Sequence, residues 1–284
     1  MFWEFDGVGS FNEGFARVKK DGKYGYINTK GEQAIECKFD DCSDFSEGFA
    51  GVSKDGKWGY INTKGEQAIE CKFDDACDFS EGFAGVSKDG KCGYINTKGE
   101  QIIERKFNYV DNFNEGFAAV QKYGDGIDGK YGYINTKGEQ IIECKFDDAS
   151  NFYEGFAVVK KDGKWGYINT KGEQIVECKF DGYGDFNEGF VAVRKDGKWG
   201  YINTKGEQII ECKFDRVSGF NEGFAAVQKD GKCGYINTKG EQIVECKFDD
   251  AYDFNEGFAR VKKDGKWGYI NTKGCSVIFD ESKK

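Results

Sequence analysis

The sequence predicts an all-β fold of eight tandem 34-residue β-meander units, with a β-propeller favoured over an open β-solenoid. Three observations predict it. The triplet Glu-Gly-Phe begins at Glu13, Glu47, Glu81, Glu115, Glu154, Glu188, Glu222 and Glu256, with six intervals of 34 residues and one of 39. The heptad Gly-Tyr-Ile-Asn-Thr-Lys-Gly recurs eight times in the same phase, from 25–31 to 268–274. Between these markers the apolar residues alternate, and no segment keeps a helical period.

The second copy shows how each element arises. The run from Phe49 to Lys54 is followed by Asp55-Gly56 and then by Lys57 to Asn62. Asp-Gly between two such runs is the signature of a two-residue hairpin, because both turn positions need a positive φ. Asn62-Thr-Lys-Gly65 then places Gly where a longer hairpin loop needs a left-handed residue. Glu66 to Phe73 follows as a further strand, with Ile69, Cys71 and Phe73 on one face and Glu70 and Lys72 on the other. The stretch from Phe73 to Phe79 reads either as a linker or as a short fourth strand, with Ser80-Glu81-Gly82 as another turn.

That choice bears on architecture. Four antiparallel strands per copy make a propeller blade, whereas three favour an open solenoid. The chain begins with a short-strand segment and stops after a third-strand segment, which encloses whole units and favours the propeller. A length of 34 residues is short beside the roughly 40–45 of the best-known propeller repeat. The chain is accordingly read as one repeat domain, 1–284, with units at 5–38, 39–72, 73–106, 107–145, 146–179, 180–213, 214–247 and 248–284. The long interval comes from Tyr123 to Asp128, a Gly- and Asp-rich insertion expected to form a surface loop.

Composition narrows function. With 26 Phe and 15 Tyr, the chain can bury a substantial core despite a mean hydropathy of −0.68. Its 41 basic and 50 acidic side chains give a net charge of −9, which opposes binding to a phosphate backbone and argues against nucleic acid as a partner. The absence of His removes imidazole base catalysis and imidazole metal ligation. No run of eighteen apolar residues occurs, so no membrane insertion is expected. Met1 to Ser10 lacks a basic segment followed by an apolar one, so a cytoplasmic location is expected, or export if a leader has been removed. Eleven Cys, most at repeat spacing, suit free thiols better than a disulfide framework.

The recurring Gly-Lys-Trp-Gly-Tyr-Ile-Asn, as at 56–62 and 163–169, together with Phe-x-Glu-Gly-Phe-Ala-x-Val, resembles the bacterial WG-containing repeat family over nearly the whole chain. The resemblance implies arrays of varying copy number and supplies no catalytic residues. Family members carry Ile-Pro-x-Tyr-Asp where this chain has Glu-Cys-Lys-Phe-Asp, as at 143–147, so the bend set by Pro is expected to differ here.

Three recurring positions and the insertion are candidate sites. The residue before the strand Gly is Tyr24, Trp58, Cys92, Tyr131, Trp165, Trp199, Cys233 and Trp267 in successive copies. Such a range of volumes fits a partly exposed position, which serves either packing between copies or, through Tyr24, Trp58, Tyr131, Trp165, Trp199 and Trp267, binding of a glycan, peptide or protein. Cys37, Cys71, Cys144, Cys178, Cys212 and Cys246 share another position, with Arg105 in the third copy, and read as small apolar packing groups. Asp6, Asp40, Asp74, Asp147, Asp181, Asp215 and Asp249, with Asn108 in the third copy, read as turn caps rather than a cation site. The segment 124–129 lacks the spaced ligands and closing Glu of a calcium loop. No metal or cofactor is expected. The resulting expectation is a non-catalytic repeat protein with a protein partner, and a glycan- or small-ligand-binding array is the alternative. Were there an enzymatic centre, it would be sought in the third or fourth copy, where Arg105, Asn108 and the insertion break the regularity.

Overall fold

The computed structural model describes residues 5–123 and 129–277. It contains eight four-stranded antiparallel sheets, each with its strands side by side in chain order, and no helix among the described residues. The stretch left open between linker and strand is a strand. In the second sheet the strands are Asp41–Cys42, Phe49–Lys54, Lys57–Asn62 and Gln67–Phe73. The short first strand pairs with the second through Asp41 opposite Ser53 and Cys42 opposite Val52. It lengthens to six residues in Gly7–Asn12, Gly182–Asn187 and Asp250–Asn255.

The chain divides into two compact units, Met1–Gly155 and Phe156–Lys284. In the first seven sheets the last strand closes on a Phe, as at Phe39 and Phe73, which Asp40 and Asp74 follow.

The turns carry the expected chemistry. Asp55 and Gly56 have φ of 52° and 72°, the paired left-handed conformation of a type I′ hairpin. Glu47 and Gly48 repeat it with φ of 52° and 81°, so this turn too is a two-residue hairpin. The Asn62 side chain accepts the N–H groups of Lys64 and Glu66, which fixes the longer loop and its left-handed Gly65.

The Gly that follows the Trp position answers to a different constraint. The third and fourth strands pair Trp58 with Phe73, Tyr60 with Ile69 and Ile61 with Gln67, so the register slips on both sides of Tyr60. These bulges press the fourth strand against its neighbour, and a Cβ on Gly59 would lie 2.5 Å from the Ile69 carbonyl oxygen. Only Gly fits there.

The core lies between successive sheets. In the first unit, Tyr26, Ile35 and Phe39 of one sheet pack with Phe45, Ala50, Val52 and Ile61 of the next. In the second unit, Tyr201, Ile210 and Phe214 pack with Phe220, Ala225, Val227 and Ile236 in the same way. The insertion begins inside a strand: Tyr123 ends Phe117–Tyr123 and pairs with Gly129, while 124–128, all but the last residue of the segment compared to a calcium loop, lie outside the described residues.

Candidate binding surface

The heptad Tyr is fully buried in the first seven copies. Tyr60 sits at 0% exposure and donates its O–H to the Cys77 carbonyl of the following sheet at 2.6 Å. Tyr26 donates likewise to Ser43 and Tyr201 to Ser218. Burial pushes all three phenols far above the ordinary tyrosine range, so they stay neutral donors. Each phenol ring meets a Phe of the next sheet, as Tyr60 does with Phe79 at 4.8 Å between centroids, and Phe79 also meets Phe49 at 5.0 Å.

The Glu of Glu-Gly-Phe has a role that sequence reasoning missed. The Glu13 carboxylate accepts the backbone N–H groups of Glu47 and Gly48, each at 2.9 Å, and Glu115 does the same for Glu154 and Gly155. In the second unit Glu222 holds Glu256 and Gly257. Each turn's carboxylate thus grips the next turn, which offsets the left-handed backbone that Glu adopts there. The signal was available in the recurrence of a non-Gly residue at the first position of a tight turn.

The Asp row caps turns and also joins sheets. One oxygen of Asp74 accepts the N–H of Asp89 at 2.7 Å, while the other meets the Lys57 ammonium of the preceding sheet. The Lys57 hydrogen bond holds Asp74 below the usual carboxylate range, and its counterparts do the same for Asp40, Asp181, Asp215 and Asp249. Asn108, which takes the place of this Asp before the fourth sheet, keeps the cap by accepting the Tyr123 N–H.

All eleven Cys are free thiols, and no cluster of metal-ligating side chains occurs among the described residues. The fourth-strand Cys are half-buried, with the Cys71 thiol 3.6 Å from the Val52 carbonyl oxygen.

Tyr24, Trp58, Tyr131, Trp165 and Trp199 are half-buried, and Trp267 is 47% exposed. The Trp58 indole lies across Gly51, and the Trp165 ring packs at 4.6 Å on Tyr183 of the next sheet. Cations cover several rings, with Lys19 over Tyr24, Lys160 over Trp165 and Arg194 over Trp199. Openings lie along the row both with and without a ring, of about 260 Å³ at Tyr24, about 70 Å³ at Cys92 and about 180 Å³ at Cys233. The one at Cys233 faces Ala251 where the one at Cys92 faces Val110.

On the eighth sheet the same residue types are exposed together. Tyr252, Phe258, Trp267 and Tyr269 are each more than two-fifths exposed. The Arg260 guanidinium lies 4.1 Å from the Tyr252 ring centre and 4.6 Å from that of Trp267.

These features define a tandem β-sheet repeat protein whose copies are locked to their neighbours by Tyr, Glu and Asp contacts. A family model described as WG containing repeat matches residues 4–24, 24–58, 58–92, 93–124, 131–165, 165–199, 199–233 and 234–267, and the chain belongs to that family. No curated protein sequence matches it. Among solved structures it is similar to a eukaryotic initiation factor at 10% identity, covering 98% of this chain and 89% of that one with a TM-score of 0.54, which is a likeness of fold. A structure of KlHsv2 with one loop replaced by a Gly-Ser linker aligns over 93% of this chain and 98% of its own at 10% identity, with a TM-score of 0.43.

Proposed function

We propose that this chain is a non-catalytic repeat protein that presents a regular surface to a protein partner. The observation that carries the reading is the eighth sheet, where Tyr252, Phe258, Trp267 and Tyr269 surround Arg260 in the open. Aromatic rings and Arg supply most of the energy at protein interfaces, and the Arg held between two rings is already ordered before a partner arrives. In the rest of the row, Tyr24, Tyr131, Trp165 and Trp199 are engaged by neighbouring rings or cations, which favours packing over the stacking of a sugar on them.

A photo-crosslinking residue placed at Tyr252 tests this in the source cells. It is expected to trap one recurrent protein, and the double variant Arg260→Ala, Trp267→Ala is expected to lose that adduct while melting within a few degrees of the parent. An adduct unchanged in the double variant, or none above a control site on the exposed Lys64 loop, would remove the reading.

A further inference from the structure

The third copy departs from its siblings at Arg105, and its surroundings depart with it. In five other sheets the Gln that opens the fourth strand donates its amide to the Cys four residues on, as Gln67 does to Cys71 and Gln140 to Cys144. Arg offers no acceptor. Among the described residues, Gln101 makes no such side-chain bond, nor does Gln33 beside Cys37 in the first sheet, and Arg105, half-buried, has no carboxylate partner. Both line a cavity of about 280 Å³ together with Lys72, Lys88 and the Phe73 ring, and no carboxylate lines it.

The two lysines alone are not distinctive, since their counterparts recur as Lys38 with Lys54 and Lys106 with Lys122. What is distinctive is a third cation facing the same opening, with an uncommitted amide beside it. Three like charges around one cavity repel one another unless an anion joins them, and a net charge of −9 over the whole chain makes an accidental cationic cluster harder to explain. A guanidinium fork can take two oxygens of a tetrahedral oxyanion, two ammonium groups can neutralise the remainder, and an amide N–H can donate to a third oxygen. The Phe73 ring gives an apolar wall beside that position.

We propose that the Lys72–Lys88–Arg105 cavity binds the dianionic phosphate group of a small molecule. Isothermal titration of the whole chain at low salt, with inorganic phosphate and separately with phenyl phosphate, tests it. One site per chain is expected, with sulfate competing. Arg105→Cys installs the side chain that six sibling copies carry, so folding is expected to persist, and affinity is expected to fall at least about tenfold, as for loss of a charge-assisted bidentate contact. Arg105→Gln, followed by calorimetric melting, serves as the second variant and is expected to give the same loss. Tighter binding of phenyl phosphate identifies a phosphate ester as the ligand class, and equal binding identifies free phosphate. No binding by the parent chain, or binding left unchanged in both folded variants, overturns the proposal.

Discussion

The second and eighth sheets carry the same hexapeptide, Lys-Trp-Gly-Tyr-Ile-Asn, at Lys57–Asn62 and Lys266–Asn271, yet the two segments live in different surroundings. Trp58 is half-buried and Tyr60 sealed, while Trp267 is 47% and Tyr269 42% exposed. Burial in this chain is therefore conferred by the sheet that follows rather than by the strand's own sequence. The third sheet, beneath Phe113 and Val110 of the fourth, shows the same dependence, with Tyr94 buried although Cys replaces the Trp beside it.

The largest expected contrast is in the Tyr itself. Tyr60→Ala should cost about 3–5 kcal/mol, because it opens a cavity between sheets and leaves the Cys77 carbonyl without its donor. Tyr269→Ala should cost about 1 kcal/mol or less, since a partly exposed ring gives up little packing. Urea unfolding of both variants checks this, and equal costs would break the comparison.

The Glu grip should give the next contrast. Glu222→Ala removes the acceptor for two N–H groups and is expected to cost about 1 kcal/mol. Glu256→Ala is expected to stay within about 0.5 kcal/mol, because no N–H group among the described residues binds its carboxylate. Thermal melts of the pair separate the two values.

Acid should weaken the array through the Asp latches. Asp40, Asp74, Asp181, Asp215 and Asp249 titrate below the ordinary range in the folded chain, so the stability they provide is present above that range and is lost as the pH falls through the lowered values. Melting temperatures between about pH 5 and pH 2 should decline accordingly, since the unfolded aspartate reference is about 3.9. Asn108→Asp should steepen the decline by giving Lys91 a latch of its own.

Thiol reactivity gives the finest contrast. Cys275 is exposed, whereas burial pushes Cys42 and Cys77 up to about 11. Alkylation at neutral pH, followed by peptide mass mapping, should label Cys275 first and those two last.

Much of the fold was legible because its determinants are local. Asp-Gly and Asn-Thr-Lys-Gly announce turns, and alternation announces strands. The short first strand was ambiguous because only two of its residues pair with the next strand in most sheets, as with Asp75 and Ala76, too few to leave a period. The reason for Gly59 was hidden because it lies in a register slip that no strand shows by itself. The Glu grip spans 34 residues, so it became visible only when successive turns were seen side by side. Among the candidate sites, Arg105 was visible as a departure from the repeat, but its cavity needed Lys72 from the preceding sheet.

The insertion in the fourth copy stretches the interval between Glu115 and Glu154 to 39 residues, yet Glu115 still holds the Glu154 and Gly155 amides at 2.6 and 2.8 Å. Extra chain entering at this hairpin tip leaves the spacing of the clasped turns unchanged. The Asp-Gly tips are thus natural grafting points: a guest loop spliced into one of them would ride on the edge of its sheet, while an extension of similar length between a Gly-Phe pair would throw every later copy out of step.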